Sequence, residues 1–175
     1  NEAIQLAEAT IDEKNPNLMN KKEVAKAIGV GAIIFSDLKP HRKHDIEFDL
    51  KKMLQTEGET GQYVQYSYAR ACSILRKAGV VDEFTIEVVN DYEWEVLKCL
   101  EQFPAAVKRT ATELDPSLMA KYAVELAQAF NSFYGNVQIV TQSNLMNYRV
   151  SLVQSVVIVL EESLRLLGIK APKEM

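Results

Sequence analysis

The stretch EGETGQYVQYSYARACSILRK, residues 57–77, decides how the rest of the chain is read. Gly58 and Gly61 flank Thr60, a residue suited to N-cap the segment behind it. On a helix, Val64, Tyr68, Ala71 and Leu75 fall on one side, spaced four, three and four apart, the pattern of a buried stripe. The opposite side carries Tyr63, Tyr66, Ser67, Arg70 and Lys77. Aromatic rings with polar tips, interleaved with cations, can stack on unpaired bases and pair with phosphates. The same residue types also serve as amphipathic boundary residues beside solvated cations, and one helix does not separate the two readings.

The segments on either side narrow the choice. Upstream stands IGVGAIIFSDLKPHRKHDIEFDL, residues 28–50, and residues 51–75 continue it as KKMLQTEGETGQYVQYSYARACSIL. Far downstream come LAQAFNSFYGN at 126–136, an arginine at Arg149, and the ending LRLLGIKAPKEM at 164–175. These segments resemble the arginyl-tRNA synthetases, in which GAxxFxDL, R-x-x-D-x-x-FD and EGxTGxYxQYxxAR follow the nucleotide-binding fold and a helical anticodon-binding domain ends the chain. The resemblance runs in order over essentially the whole sequence. It implies an all-α bundle of about seven helices, with residues 1–56 following the catalytic fold and 57–175 forming the anticodon-binding domain of DALR type.

Composition is consistent with that expectation. Of the 175 residues, 47% are apolar and 25% charged, which is ordinary for one or at most two globular domains. No long uncharged apolar run stands out as a membrane span and no secretory leader is visible, so a cytoplasmic protein is expected. Cys72 and Cys99 lie on separate predicted helices without a CxxC or a nearby histidine; reduced, partly buried thiols and no metal are expected. The formal charge of -4 is uneven: residues 1–79 hold 12 Lys/Arg against 11 Asp/Glu, whereas 80–175 hold 8 against 13. An acidic second half suits the reading of a few exposed bases better than the gripping of a long duplex by its phosphates.

Taken in order, residues 1–14 read as a helix stopped by Asn15, Pro16 and Asn17. A second helix is expected after Asn20, burying Val24, Ala27, Ile28, Gly31, Ile34 and Phe35. Gly29 and Gly31 do not make a dinucleotide loop, lacking a third glycine and a preceding strand. Pro40 then opens a basic loop with Lys39, His41, Arg42, Lys43 and His44, followed by a short extended segment at 46–48 and a short helix capped by Asp49. Lys39, Arg42 and Lys43 could touch a phosphate backbone, or Arg42 could pair with Asp45 or Asp49 in a solvated turn.

Beyond Gly79 an acidic stretch reads as a connection. Trp94, with a packing role, opens a helix that Pro104 stops, and 105–114 forms another. Asp115 caps, and Pro116 starts, a helix running to about Phe133 and ended by Gly135. The turn there gathers Asn131, Tyr134 and Asn136, amides and a ring that could read and stack on a splayed base. In a final helix over 149–167, VVIVL at 156–160 is apolar on every side and is expected to be the most buried element; Gly168 ends it.

No catalytic constellation emerges. There is no G-x-S-x-G, no cysteine paired with a histidine, and no E-x-x-H pair. The resemblance implies an ATP-dependent ligase, using ATP with magnesium, whose histidine motif and lysine loop would precede Asn1, so this piece by itself is expected to be inactive and to carry no cofactor. It further implies arginine tRNA as partner, without DNA or membrane, and a monomer. Within it Tyr63, Tyr66 and Arg70, then Asn131, Tyr134 and Asn136, and the terminal Met175 would enclose the anticodon, while Lys39, Arg42, Lys43 and Lys77 would meet the tRNA backbone. Two other readings remain open: a helical protein-interaction module using the same aromatic face, and the equivalent domain of another class I synthetase.

Overall fold

The computed structural model describes residues 2–45, 48–79, 90–141 and 145–175. Among these the chain forms helices only: α1 (Glu2–Lys14), α2 (Lys21–Leu38), the single-turn α3 (Leu50–Met53), α4 (Gly61–Ala78), α5 (Asp91–Glu113), α6 (Pro116–Asn136) and α7 (Met146–Leu166). The all-α bundle expected from the sequence is the observed fold. The expected connection over 80–89, and residues 46–47 of the expected extended segment, lie outside the described residues.

Caps set most boundaries. The Thr60 hydroxyl accepts from the Tyr63 N–H at 3.0 Å and starts α4, while Gly79, at φ 75°, ends it. Asn90 caps α5 through the Glu93 N–H, and Asp49 caps α3 through the N–H groups of Lys51 and Lys52. Asp115 accepts from the Ser117 N–H at 3.1 Å and, with Pro116 behind it, starts α6. Between α5 and α6 only Leu114 and Asp115 intervene, with Leu114 in the left-handed region at φ 50°, and the two helices pack along each other.

The main core joins α4, α6 and α7, with α5 and α2 laid against them. Val64, Tyr68 and Ala71 of α4 meet Phe130 and Phe133 of α6 and Val153, Val156 and Leu160 of α7, all buried. Phe35 of α2 belongs to the same cluster, so core packing crosses the boundary expected near residue 56. A smaller cluster of Ala7, Ile11, Leu18, Ala25 and Ile28 joins α1 to α2. Close approach there depends on Gly29, where an added Cβ would stand 2.8 Å from the Ala3 backbone.

Several local expectations are corrected. Pro104 does not stop a helix; α5 is continuous from Asp91 to Glu113. The proline sits on the exposed side, where water can serve the carbonyl it leaves unbonded, while Leu100, Phe103 and Val107 pack inward and hold the helix through it. Trp94 is 50% exposed and Val96 wholly buried, because Glu93 and Val96 take the inward face of α5. Ser67, read from periodicity as outward, is buried, since α6 covers that side of α4. Gly135 does not end α6, which runs one residue further to Asn136. In α7, Val156 and Leu160 are buried but Ile158 is 59% exposed, so an all-apolar run still has an outside face.

A buried amide ties the pieces together. Gln65 Nε2 donates to the Ala27 carbonyl of α2 at 3.1 Å and to the Lys170 carbonyl of the C-terminal tail at 2.7 Å. At the opposite end of the bundle, Arg149 of α7 pairs with the buried Glu93 of α5 at 2.8 Å.

Gln65→Leu leaves the Ala27 and Lys170 carbonyls without that donor and is expected to lose about 2 kcal/mol in urea unfolding. Gly61→Ala places a Cβ 2.6 Å from Phe35 Cβ and 3.1 Å from the Gly31 carbonyl, and is expected to lose about 1–3 kcal/mol. The matched change Gly135→Ala meets nothing within 4 Å and is expected to gain about 0.5–1 kcal/mol in the same assay. The Ser117 hydroxyl and N–H, with the charges of His41 and Arg42, hold the Asp115 carboxyl below its usual range. Its stabilising contribution is therefore complete above the unfolded value of about 4 and is lost as pH falls through the lower folded value. In acid titrations followed by circular dichroism, Asp115→Asn is expected to flatten the fall in stability below about pH 4.

Candidate nucleic-acid interface

The outward side of α4 repeats the spacing of its buried side: Tyr66, Arg70, Ser73 and Lys77 are four, three and four apart. That register lines them along one groove of about 470 Å³, closed by Tyr134 from α6 and by Glu174 and Met175 from the C-terminal tail. Tyr66 is 38% exposed and Tyr134 45%, so both rings keep open surface. The Arg70 guanidinium carbon lies over both, 4.7 Å from the Tyr66 ring centroid and 5.0 Å from that of Tyr134. Tyr134 is backed by buried Phe130, with ring centroids 6.3 Å apart.

Behind the rings runs a closed set of hydrogen bonds. Arg70 Nη1 donates to Asn131 Oδ1, Asn131 Nδ2 donates to Ser67 Oγ at 2.7 Å, and Ser67 Oγ donates to the Tyr63 carbonyl at 2.8 Å. An arginine can only donate, so the Asn131 oxygen must face it and the amide orientation is determined.

The tail is held in place over the groove. Arg76 Nη1 donates to the Lys173 carbonyl at 3.2 Å and Arg76 Nη2 lies 3.5 Å from Glu174 Oε1. Asn15 Nδ2 donates to the Met175 carbonyl at 3.2 Å, and the Met175 side chain packs against the α1–α2 cluster. The groove thus holds the cations Arg70, Arg76 and Lys77 against one carboxylate, Glu174, within a chain of net charge -4. A wet cleft with two ring faces and surplus positive charge can take up a planar, anionic-backbone ligand such as a single-stranded nucleotide run.

Of the residues expected from sequence, Tyr66, Arg70, Lys77, Tyr134 and Met175 come together on this groove. Asn131 stands behind it, with both its amide nitrogen and its oxygen engaged inside the protein. Tyr63 is half-buried against the main core and does not line the groove. Asn136 bonds back to the Ser132 carbonyl at 2.9 Å and also lies outside the lining.

The basic loop is elsewhere. Arg42 Nη1 donates to the Leu114 carbonyl at 2.6 Å, where it stabilises the carbonyl end of α5, so it pairs with neither Asp45 nor Asp49. Lys39 pairs with Glu59 at 2.8 Å, and Lys43 is exposed. Asn15, Arg76 and Glu174 line the groove without having been singled out from sequence. Arg76 could have been found from its place beside Lys77 on α4, whereas Asn15 arrives only through the docking of α1 on α2.

Among the described residues, no cluster of three or more His, Cys, Asp or Glu side chains could hold a metal ion. No helix among them is long and apolar enough to cross a membrane. Cys72 and Cys99 are free thiols, and burial pushes both above the usual thiol value.

Comparison with known proteins bears on the same region. A family profile described as the DALR anticodon binding domain matches residues 64–175. The chain is 51% identical over 175 residues to arginine–tRNA ligase 1 of Bacillus cereus, covering 99% of this chain and 31% of that protein. It is 53% identical to arginine–tRNA ligase of Pediococcus pentosaceus, again spanning 31% of its length. The arginyl-tRNA synthetase of Thermus thermophilus superposes with a TM-score of 0.95 at 38% identity, over 99% of this chain and 31% of that one. That of Plasmodium falciparum gives 0.89 at 26% identity, over 99% of this chain and 32% of that one. The chain thus spans about a third of the relatives it matches, and with its profile match over α4 to the tail, it belongs to the DALR anticodon-binding domain family.

Proposed function

We propose that this chain is the C-terminal, anticodon-reading part of an arginine–tRNA ligase, and that its groove encloses unstacked anticodon bases. The observation that carries the reading is the convergence of Tyr66, Arg70, Tyr134 and Met175 from two helices and the tail on one cationic cleft. Family membership and likeness to arginine–tRNA ligases support it.

In this reading the whole enzyme uses ATP, with magnesium, to attach arginine to its tRNA; the residues that handle ATP and arginine belong to the remaining part of such an enzyme. The present chain supplies recognition. Tyr66 and Tyr134 offer ring faces for stacking, each base contributing about 1–3 kcal/mol. Met175 closes the groove with an adaptable apolar side chain. Lys77 and Arg76 meet phosphate oxygens, which adds affinity without sequence information. Lys43 is an additional backbone contact, and Tyr63 supports the platform from behind by packing.

The test is equilibrium binding of the chain to arginine tRNA across a salt series, beside the same tRNA with its central anticodon base changed. A loss of about 1–3 kcal/mol on the base change with a shallow salt slope is expected; equal affinity for the two RNAs would overturn the reading. Tyr134→Ala is expected to weaken binding to both RNAs by about 1–3 kcal/mol, whereas Lys77→Ala should reduce the salt slope by about 1 and leave discrimination intact.

A further inference from the structure

The bonds behind the groove assign a role to residues that face the protein and not the ligand. Ser67 is fully buried, and its hydroxyl is used twice, donating to the Tyr63 carbonyl at 2.8 Å and accepting from Asn131 Nδ2 at 2.7 Å. Asn131 Oδ1 is in turn taken by Arg70 Nη1. Arg70 is thereby anchored at its tip while its guanidinium carbon lies over two aromatic rings, 4.7 Å and 5.0 Å from their centroids. An arginine side chain on a surface ordinarily samples many rotamers, and fixing it costs that freedom.

We propose that Asn131 and Ser67 are positioning residues that clamp Arg70 between Tyr66 and Tyr134 before RNA arrives, so that the groove is a preformed stacking surface with its cation already in place. This rests on the anticodon-reading function above and gives Asn131 a different part from a base-reading amide, since its oxygen already accepts from Arg70 and its nitrogen already donates to Ser67. Preorganisation raises affinity by removing the ordering cost from the binding step. It also predicts a distinctive coupling: what Asn131 contributes to binding passes through Arg70 and vanishes when Arg70 is absent.

Two measurements test the clamp, the first without RNA. In nitrogen-detected NMR of the whole chain, rotation of the Arg70 guanidinium about its Nε–Cζ bond is expected to be slow, and to be released in both Asn131→Ala and Ser67→Ala. Asn131→Asp, which still accepts from Arg70 and toward which the Ser67 hydroxyl can turn its proton from the Tyr63 carbonyl, is expected to restore slow rotation. The second measurement is a double-mutant cycle in binding to arginine tRNA. Asn131→Ala is expected to weaken binding about tenfold with an unchanged salt slope, and to cost nothing further in an Arg70→Ala background.

Free rotation of Arg70 in the unmutated chain would overturn the clamp, as would a loss from Asn131→Ala that persists undiminished in the Arg70→Ala background, the mark of a direct contact. Full binding by a folded Asn131→Ala would overturn it too. A chain that binds neither the native nor the base-changed tRNA would remove the anticodon reading, while the NMR comparison would still decide whether Asn131 and Ser67 hold Arg70.

Discussion

The groove depends on a side chain that never reaches it. Gln65 lies mid-helix in α4 without exposure, and its one amide nitrogen serves the Ala27 carbonyl in α2 and the Lys170 carbonyl in the tail. Both acceptors must be in place for the amide to be worth burying, because an unpaired buried donor costs more than a made bond returns. Gly31 makes room for it, since a Cβ at that position would stand 2.8 Å from Gln65 Nε2. With residue 170 so placed, the tail runs on to where Arg76 holds Lys173 and Asn15 holds Met175. The wall of the groove is therefore tied to α2 and α4 through this amide, and further along through Arg76 and Asn15.

Electrostatics within the groove differ from those of the chain as a whole. A net charge of -4 describes the surface as a sum, yet the cleft collects Arg70, Arg76 and Lys77 around a single carboxylate. Local sign matters more than total charge over distances of about 8–10 Å, the screening length near physiological salt. An acidic remainder disfavours nonspecific attachment to nucleic acid, so that in the proposed function stacking and shape would determine which RNA stays bound. Arg70 joins the two roles: it contributes charge, and its guanidinium carbon lies 4.7 Å and 5.0 Å from two ring centroids.

The second anchoring point sits at the α5–α6 corner, where the loop carrying His41 and Arg42 docks. Arg42 donates to the Leu114 carbonyl, and His41 Nε2 lies 3.5 Å from Asp115 Oδ2. A loop that reads from sequence as a free basic patch thus has part of its charge spent on structure. This contact joins residues before position 56 to the helical hairpin beyond it, as Phe35 does in the core.

By itself the sequence determined the helical class, because stripes spaced three and four apart recur in every long segment, and the caps, because Thr60, Asp49 and Asp115 carry the right oxygen just ahead of each apolar run. It also named Tyr66, Arg70, Lys77, Tyr134 and Met175, the first three through helical register and the last two through family resemblance. What it could not decide depends on neighbours distant in the chain. Pro104 is tolerated because the opposite face of α5 is packed, and Ser67 is buried because α6 lies across it. Trp94 is half exposed because Glu93 and Val96 claim the inward face beside α7. Asn131 gains its partners for the same reason: an amide there looks free in the sequence, and the fold brings Arg70 and Ser67 within hydrogen-bonding reach on either side of it. Periodicity reports which face of a helix is apolar, whereas only the tertiary structure decides which polar groups on the other face are left for a ligand.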